Sequence, residues 1–232
     1  MFNISEIVGK NLDLTQNKPL KHLVYEAFRK TIILGEIPAG QRINEKEFSE
    51  VMNISRTPIR YALKKLESEK LVQHVQGVGV IVKGISIKDA YEIYDIRKAL
   101  DVLAFVKAMK LMTDDDFTQL RLHLENAEQL NKNNEVDKLL KNFSQFNAFI
   151  YDKSQMQRLK SIVTNLQEYL IYFRDISIRA KERCTLALNE HWSIYQSMLK
   201  QDEEQVRLII IEHLDHSLSF IIKEMEQRNI RY

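Results

Sequence analysis

Apolar residues in the first third of the chain recur at helical spacing and then switch to strand spacing. Leu20, Leu23, Val24, Ala27, Phe28, Ile32 and Leu34 fall mostly three and four apart, which predicts an amphipathic helix over 20–34. Gly35 and the loop Ile37-Pro38-Ala39-Gly40 end it. A second helix is predicted over about 45–52, burying Phe48 and Val51, with Asn53 suited to a left-handed turn. A third, about 56–69, buries Ile59, Ala62, Leu63 and Leu66. Leu71–His74 and Val80–Val82 then flank Gly77-Val78-Gly79 as a hairpin. Three helices and a hairpin predict a winged helix-turn-helix.

Beyond Gly84 the chain has no proline and reads as helix almost throughout. Ser86 to Asp89, Thr113 to Asp116 and Ser154 to Gln157 have the spacing of a capping box. Helices are predicted at about 87–111, 114–131, 135–152, 155–180, 184–200 and 202–227. Their short loops imply antiparallel packing. The expected fold class is therefore mainly α. A loose arm is expected over 1–17, a winged helix over 18–84, and an antiparallel bundle of about six helices over 85–232.

Composition adds boundaries. One cysteine, Cys184, excludes an internal disulfide framework and fits a reducing compartment. No run of about 18 apolar residues suggests a membrane span, and no signal-peptide order opens the chain, so a cytoplasmic protein is expected. The net charge of +2 is uninformative, but its distribution is not. Residues 18–84 carry 12 Lys/Arg against 7 Asp/Glu, a net of +5. Residues 85–232 carry 21 against 23, a net of −2. The positive excess lies with the winged helix, as a DNA footprint requires.

The chemistry concentrates in Ser55-Arg56-Thr57-Pro58-Ile59-Arg60. Ser55 is an N-cap candidate, and Pro58 is tolerated in a first helical turn. Arg56 and Arg60, four apart, share a helix face. Two guanidinium forks at a helix start suit phosphates and guanine edges. Taken alone, the hexapeptide reads equally well as a capped surface helix with two solvated arginines. The flanking helix, the hairpin and the charge excess favour DNA.

The run from Leu23 to Val82 resembles the GntR-family winged helix from end to end. Gly35, Pro38-Ala39-Gly40, Asn44-Glu45, Phe48, the hexapeptide and Gly77-x-Gly79 stand in the family's order. Tyr61 and Lys70 depart from its usual Glu and Gly. The resemblance assigns Arg56 and Arg60 to bases or nearby phosphates, and Ser55 and Thr57 to phosphate oxygens. It brings Lys46 to the duplex and Gly77 to the minor groove. It also implies a homodimer on a pseudo-palindromic operator, more often a repressor.

Residues 87 to about 220 resemble the FCD effector domain of the FadR-type subfamily. Arg97-x-x-Leu100-Asp101 is similar to its opening Arg-x-x-Leu-Glu, and His191 and His213 to its two later histidines. Many such domains hold a divalent metal through an Asp and a His four residues later. Phe143 and Asn147 stand at those positions here. Two histidines and an amide make a poor zinc set. No cofactor is firmly implied, and a weakly held Zn or Ni ion on His191 and His213 stays open. The resemblance places Arg97, Asn147, His191 and His213 around a small-molecule effector, with Arg97 pairing its carboxylate. The rival readings are a metal-dependent hydrolase built on the two histidines, and an adaptor that uses the winged helix for protein contacts. With no His-Glu-x-x-His motif, phosphate loop or nucleophile elbow, no enzyme is expected.

Overall fold

The computed structural model describes residues 4–177 and 181–230. These fall into two compact units: the chain up to Ile87 together with the segment from Met225, and Lys88–Glu224. No helix among the described residues is long and apolar enough to cross a membrane.

The first unit holds α1 (Ile4–Asn11), α2 (Leu20–Ile33), β1 (Arg42–Ile43), α3 (Glu45–Val51), α4 (Arg56–Ser68), β2 (Val72–Val75) and β3 (Gly79–Val82). The sheet is antiparallel in the order β1-β3-β2, with Arg42 opposite Ile81 and Val75 opposite Gly79. Leu23, Val24, Ala27, Phe28 and Ile32 of α2 are buried, as are Ile59, Ala62, Leu63 and Leu66 of α4. The Phe28 and Phe48 rings lie 4.8 Å apart, joining α2 to α3. Arg29 ties α2 to the C-cap of α4 through Glu69 at 2.8 Å. Ile230 belongs to this unit, its Cγ1 3.0 Å from where a Cβ on Gly35 would stand. Gly35 has φ +69, so a side chain there would strain the backbone and press on Ile230.

Two expectations are corrected, and one strand is added. The arm expected to be loose contains α1, because Val8 is fully buried and Asn11 Nδ2 donates to Thr31 Oγ1 (3.1 Å) and Glu36 Oε2 (2.9 Å). Eight residues are too few for a clear period. β1, two residues long, had no legible pattern at all and exists only through pairing with β3. Val51 is half exposed, because α3 is short and Phe48 alone fills its inner face.

Lys70 carries a left-handed backbone, φ +62, just beyond α4. Its N–H bonds Glu67 O (2.9 Å) and the Leu71 N–H bonds Leu66 O (3.0 Å), the Schellman arrangement that glycine usually serves. An L-residue there costs about 1 kcal/mol. Lys70→Gly should therefore raise the thermal midpoint of the winged helix by several degrees, read by circular dichroism. An unchanged or lower midpoint would contradict this account of the strain.

The second unit is helical: α5 (Ile87–Leu111), α6 (Asp114–Lys132), α7 (Val136–Lys153), α8 (Gln157–Ser177), α9 (Lys181–Leu199) and α10 (Glu203–Gln227), whose last turn belongs to the first unit. The helix predicted over 155–180 is α8, and residues 178–180 lie outside the described ones. Thr113 opens α6 with a full capping box: Oγ1 accepts from Asp116 N at 3.3 Å, and Asp116 accepts from Thr113 N at 3.0 Å. The core is Phe105, Leu120, Leu124, Phe146, Ile150, Phe173, Met198 and Leu214.

Candidate functional site

The face expected to meet DNA is built by α3, the turn at Asn53 and α4. Asn44 caps α3, its side chain accepting from the N–H of Lys46 (3.0 Å) and Glu47 (3.5 Å). Asn53 has φ +50, which swings the chain into α4. Ser55 stands at the N-cap of α4 with extended backbone, yet its side chain makes no cap hydrogen bond. Pro58 removes one of the two usual donors, because it occupies the third helical position and has no N–H. The Ser55 hydroxyl is thus left for an outside acceptor. Ser55, Arg56, Thr57 and Arg60 are all exposed, while Pro58 and Ile59 are buried beneath them. Arg60 Nε donates to Glu45 Oε2 at 2.7 Å, which steadies the side chain and leaves its terminal nitrogens outward. Lys46 has only a loose ion pair with Glu50, 3.8 Å between exposed side chains. Gly77, φ +76, tips the wing in open space. Lys46, Ser55, Arg56, Thr57, Arg60 and Gly77 are all exposed in the first unit.

The second unit contains a cavity with about 40 Å³ of water-accessible space. Phe143 and Asn147 of α7 line it, with Arg174 and Ser177 of α8, Arg183 and His191 of α9, and His213 and Ser217 of α10. His191 is 2% exposed, and neither ring nitrogen has a hydrogen-bond partner of good geometry. The Ala187 carbonyl one turn earlier offers only a weak contact. Rings surround His191: Phe143 at 4.6 Å, Phe146 at 4.8 Å and His213 at 5.1 Å. Burial, with the neighbouring His213, pushes His191 well below the usual imidazole range, so it is neutral near pH 7.

Glu190 holds the outer wall. Its two oxygens take Nδ1 of His213 (2.7 Å) and Nδ1 of His216 (2.8 Å), and Arg183 Nη1 lies 3.3 Å away. Burial alone pushes the Glu190 carboxyl up, but His213, Arg183 and His216 together hold it down at about 2. An ionised carboxylate only accepts, so His213 donates from Nδ1.

Three of the four predicted effector residues thus meet: Asn147, His191 and His213. Arg97 does not line this cavity. It is buried one turn from Asp101, with Nη2 3.0 Å from Oδ2 and its guanidinium 4.9 Å from the Tyr94 ring. Burial opposes its charge, but Asp101 with Tyr94 and Tyr151 more than offsets that and raises its pKa. The predicted metal set is also short. Among the described residues no group of three or more His, Cys, Asp and Glu could hold a metal ion. Phe143 packs on His191 where a carboxylate would be needed. Sequence reasoning missed Arg174, Ser177, Arg183, Ser217 and His216. Of these only His216 left a trace, three residues after His213 and on the same helix face.

A winged helix with an exposed arginine pair at the start of α4, followed in the chain by a helical unit, defines a class of DNA-binding transcriptional regulator. Family models match on both: "Bacterial regulatory proteins, gntR family" over residues 20–82 and the FCD domain over 92–216, more than half of the chain. The chain belongs to the GntR family of bacterial transcriptional regulators and carries an FCD domain; the family's members are regulators, not enzymes. It is 25% identical over 218 residues to the HTH-type transcriptional regulator YdhC of Bacillus subtilis (strain 168), covering 93% of this chain and 97% of that one. The gluconate operon transcriptional repressor of Bacillus licheniformis is 28% identical over 181 residues, 78% of this chain and 72% of its own. The solved structure of Lar, which controls expression of the Listeria monocytogenes agr system, shares the fold. Its TM-score is 0.68 at 15% identity, over 90% of this chain and 99% of that one.

Proposed function

We propose that this regulator is a repressor that binds a pseudo-palindromic operator as a homodimer and responds to a small carboxylate held in the α7–α10 cavity. The observation that carries the DNA reading is the first turn of α4. Arg56 and Arg60 point outward there, and Pro58 leaves the Ser55 hydroxyl unused by the helix. One such helix provides too little contact for operator affinity, so two copies are needed. Apolar side chains on α5 and α8 support self-association. Leu103 is 48% exposed, and Ile96 and Ile162 are similarly open. The effector reading is supported by the buried nitrogens of His191, which lack well-formed hydrogen bonds beside a polar cavity, and by the B. licheniformis relative, a gluconate operon repressor.

Selection of bound fragments from a random duplex pool tests the DNA reading. An inverted repeat is expected to emerge, and recovery of unrelated sequences at physiological salt would sink the proposal. For the dimer, Leu103→Asp should yield a folded monomer in sedimentation, with operator affinity reduced by about 100-fold or more. A variant that stays dimeric would place the interface elsewhere.

A further inference from the structure

We propose that the first unit holds a small-molecule site of its own. A cavity of about 220 Å³ at the base of the wing binds a short amphiphilic carboxylate, with its chain among isoleucines and its charge on Lys83 and Arg228. This site is independent of the α7–α10 cavity and of the effector reading above.

Three stretches of chain build it, all within the first unit. The loop after α2 supplies Ile37 to Ala39, the end of β3 leads into Lys83 to Ile85, and the turn after α10 supplies Arg228 to Ile230. Backbone hydrogen bonds fix these walls. The N–H groups of Lys83 (2.9 Å) and Gly84 (3.1 Å) both donate to Leu71 O. Past α10, Asn229 takes φ +58, and the Ile230 N–H reaches back to Met225 O at 3.0 Å. That Schellman-type turn carries the Ile230 side chain to Gly35. Glycine also keeps the cavity open. At Gly84, φ +71, an added Cβ would meet nothing nearer than Ile32 O at 4.0 Å.

The lining sorts into two chemistries. Ile32, Ile37 and Ile85 are buried and, with Ile230, form an apolar wall. Among the described residues that line the cavity the charged ones are Lys83 and Arg228, both cationic, and no carboxylate stands with them. Lys83 is exposed and Arg228 half-buried, so the positive charge lies on the solvent side of that wall. An uncharged apolar molecule gains nothing from the two cations, and acetate is too short to use the wall. A carboxylate of about four to six carbons uses both. An apolar cavity of roughly 150 Å³ holds benzene, so this volume accommodates such a chain.

Titration calorimetry and thermal shift on the full chain test the site with butanoate, pentanoate and hexanoate, and with hexan-1-ol as the uncharged control. Affinity should rise about fourfold with each added methylene. Hexanoate should bind at least about tenfold more tightly than hexan-1-ol. Lys83→Gln, at an exposed position, should weaken hexanoate by about fivefold or more. Ala39→Phe, also exposed and on the cavity wall, should occupy the place of the chain and abolish binding. If circular dichroism finds that variant misfolded, Lys83→Gln and the chain-length series decide alone. Absence of saturable binding, a flat series, equal binding of hexan-1-ol or undiminished binding in Lys83→Gln overturns the inference. So does hexanoate binding that survives Ala39→Phe but is lost in Arg174→Gln, which would put the acid in the α7–α10 cavity.

Discussion

Arg97→Ala is expected to destabilise the helical unit by about 3–5 kcal/mol, the usual cost of breaking a buried ion pair from one side. Asp101 is 3% exposed, and its oxygens are held by Arg97 Nη2 (3.0 Å) and Tyr151 Oη (2.8 Å). Gln167 in turn donates to Tyr151 Oη at 3.2 Å, linking α5, α7 and α8. Without the guanidinium, a buried carboxylate keeps one phenol as its partner. Tyr151, already pushed up by burial and by Asp101, cannot supply the missing charge. Denaturant unfolding of Arg97→Ala, Asp101→Ala and the double variant measures the effect. The double variant should recover part of the loss, since it removes the orphaned charge. A loss under about 1 kcal/mol, accompanied by failure of the effector response, would return Arg97 to the ligand-binding role implied by family resemblance.

Arg60→Ala and Arg56→Ala are each expected to cost about 1–3 kcal/mol per half-site. In a dimer with two half-sites that becomes about 2–6 kcal/mol, roughly a 30-fold to 10⁴-fold loss of operator affinity. Both side chains are exposed, so the fold should be untouched. Arg60 is already braced by Glu45, so its loss should also relax preference at the base it reads. Lys46→Ala should weaken all sequences alike and reduce the salt slope by about one. Fluorescence anisotropy on operator and scrambled duplexes across a salt series separates these outcomes. Equal affinity of Arg60→Ala and wild type for the operator would remove α4 as the recognition helix.

Much of this architecture was legible because its determinants are local. α5 spans Ile87–Leu111 as predicted, between Gly84 and the Thr113–Asp116 capping box. Asn53 turns and Ser55 starts a helix through preferences of single residues. α1 and β1 escaped because each is too short to show a period and gains its stability from α2 and β3. The cavity escaped in part for a different reason. Arg174 and Arg183 lie on helices rich in charge, where any one arginine looks like surface.

The sequence by itself determined a winged helix with an arginine-bearing recognition helix, because capping, turn chemistry and four-residue spacing act within a few residues of each other. Only the tertiary structure decided where the charges of the helical unit go. Arg97 and Asp101 sit one turn apart whether they face ligand, solvent or core, and packing against Tyr151 placed them in the core. His191 and His213, 22 residues apart in sequence, became neighbours with rings 5.1 Å apart only when α9 met α10. Burial, a property of the assembled helices, then left the ring nitrogens of His191 without a well-formed hydrogen bond.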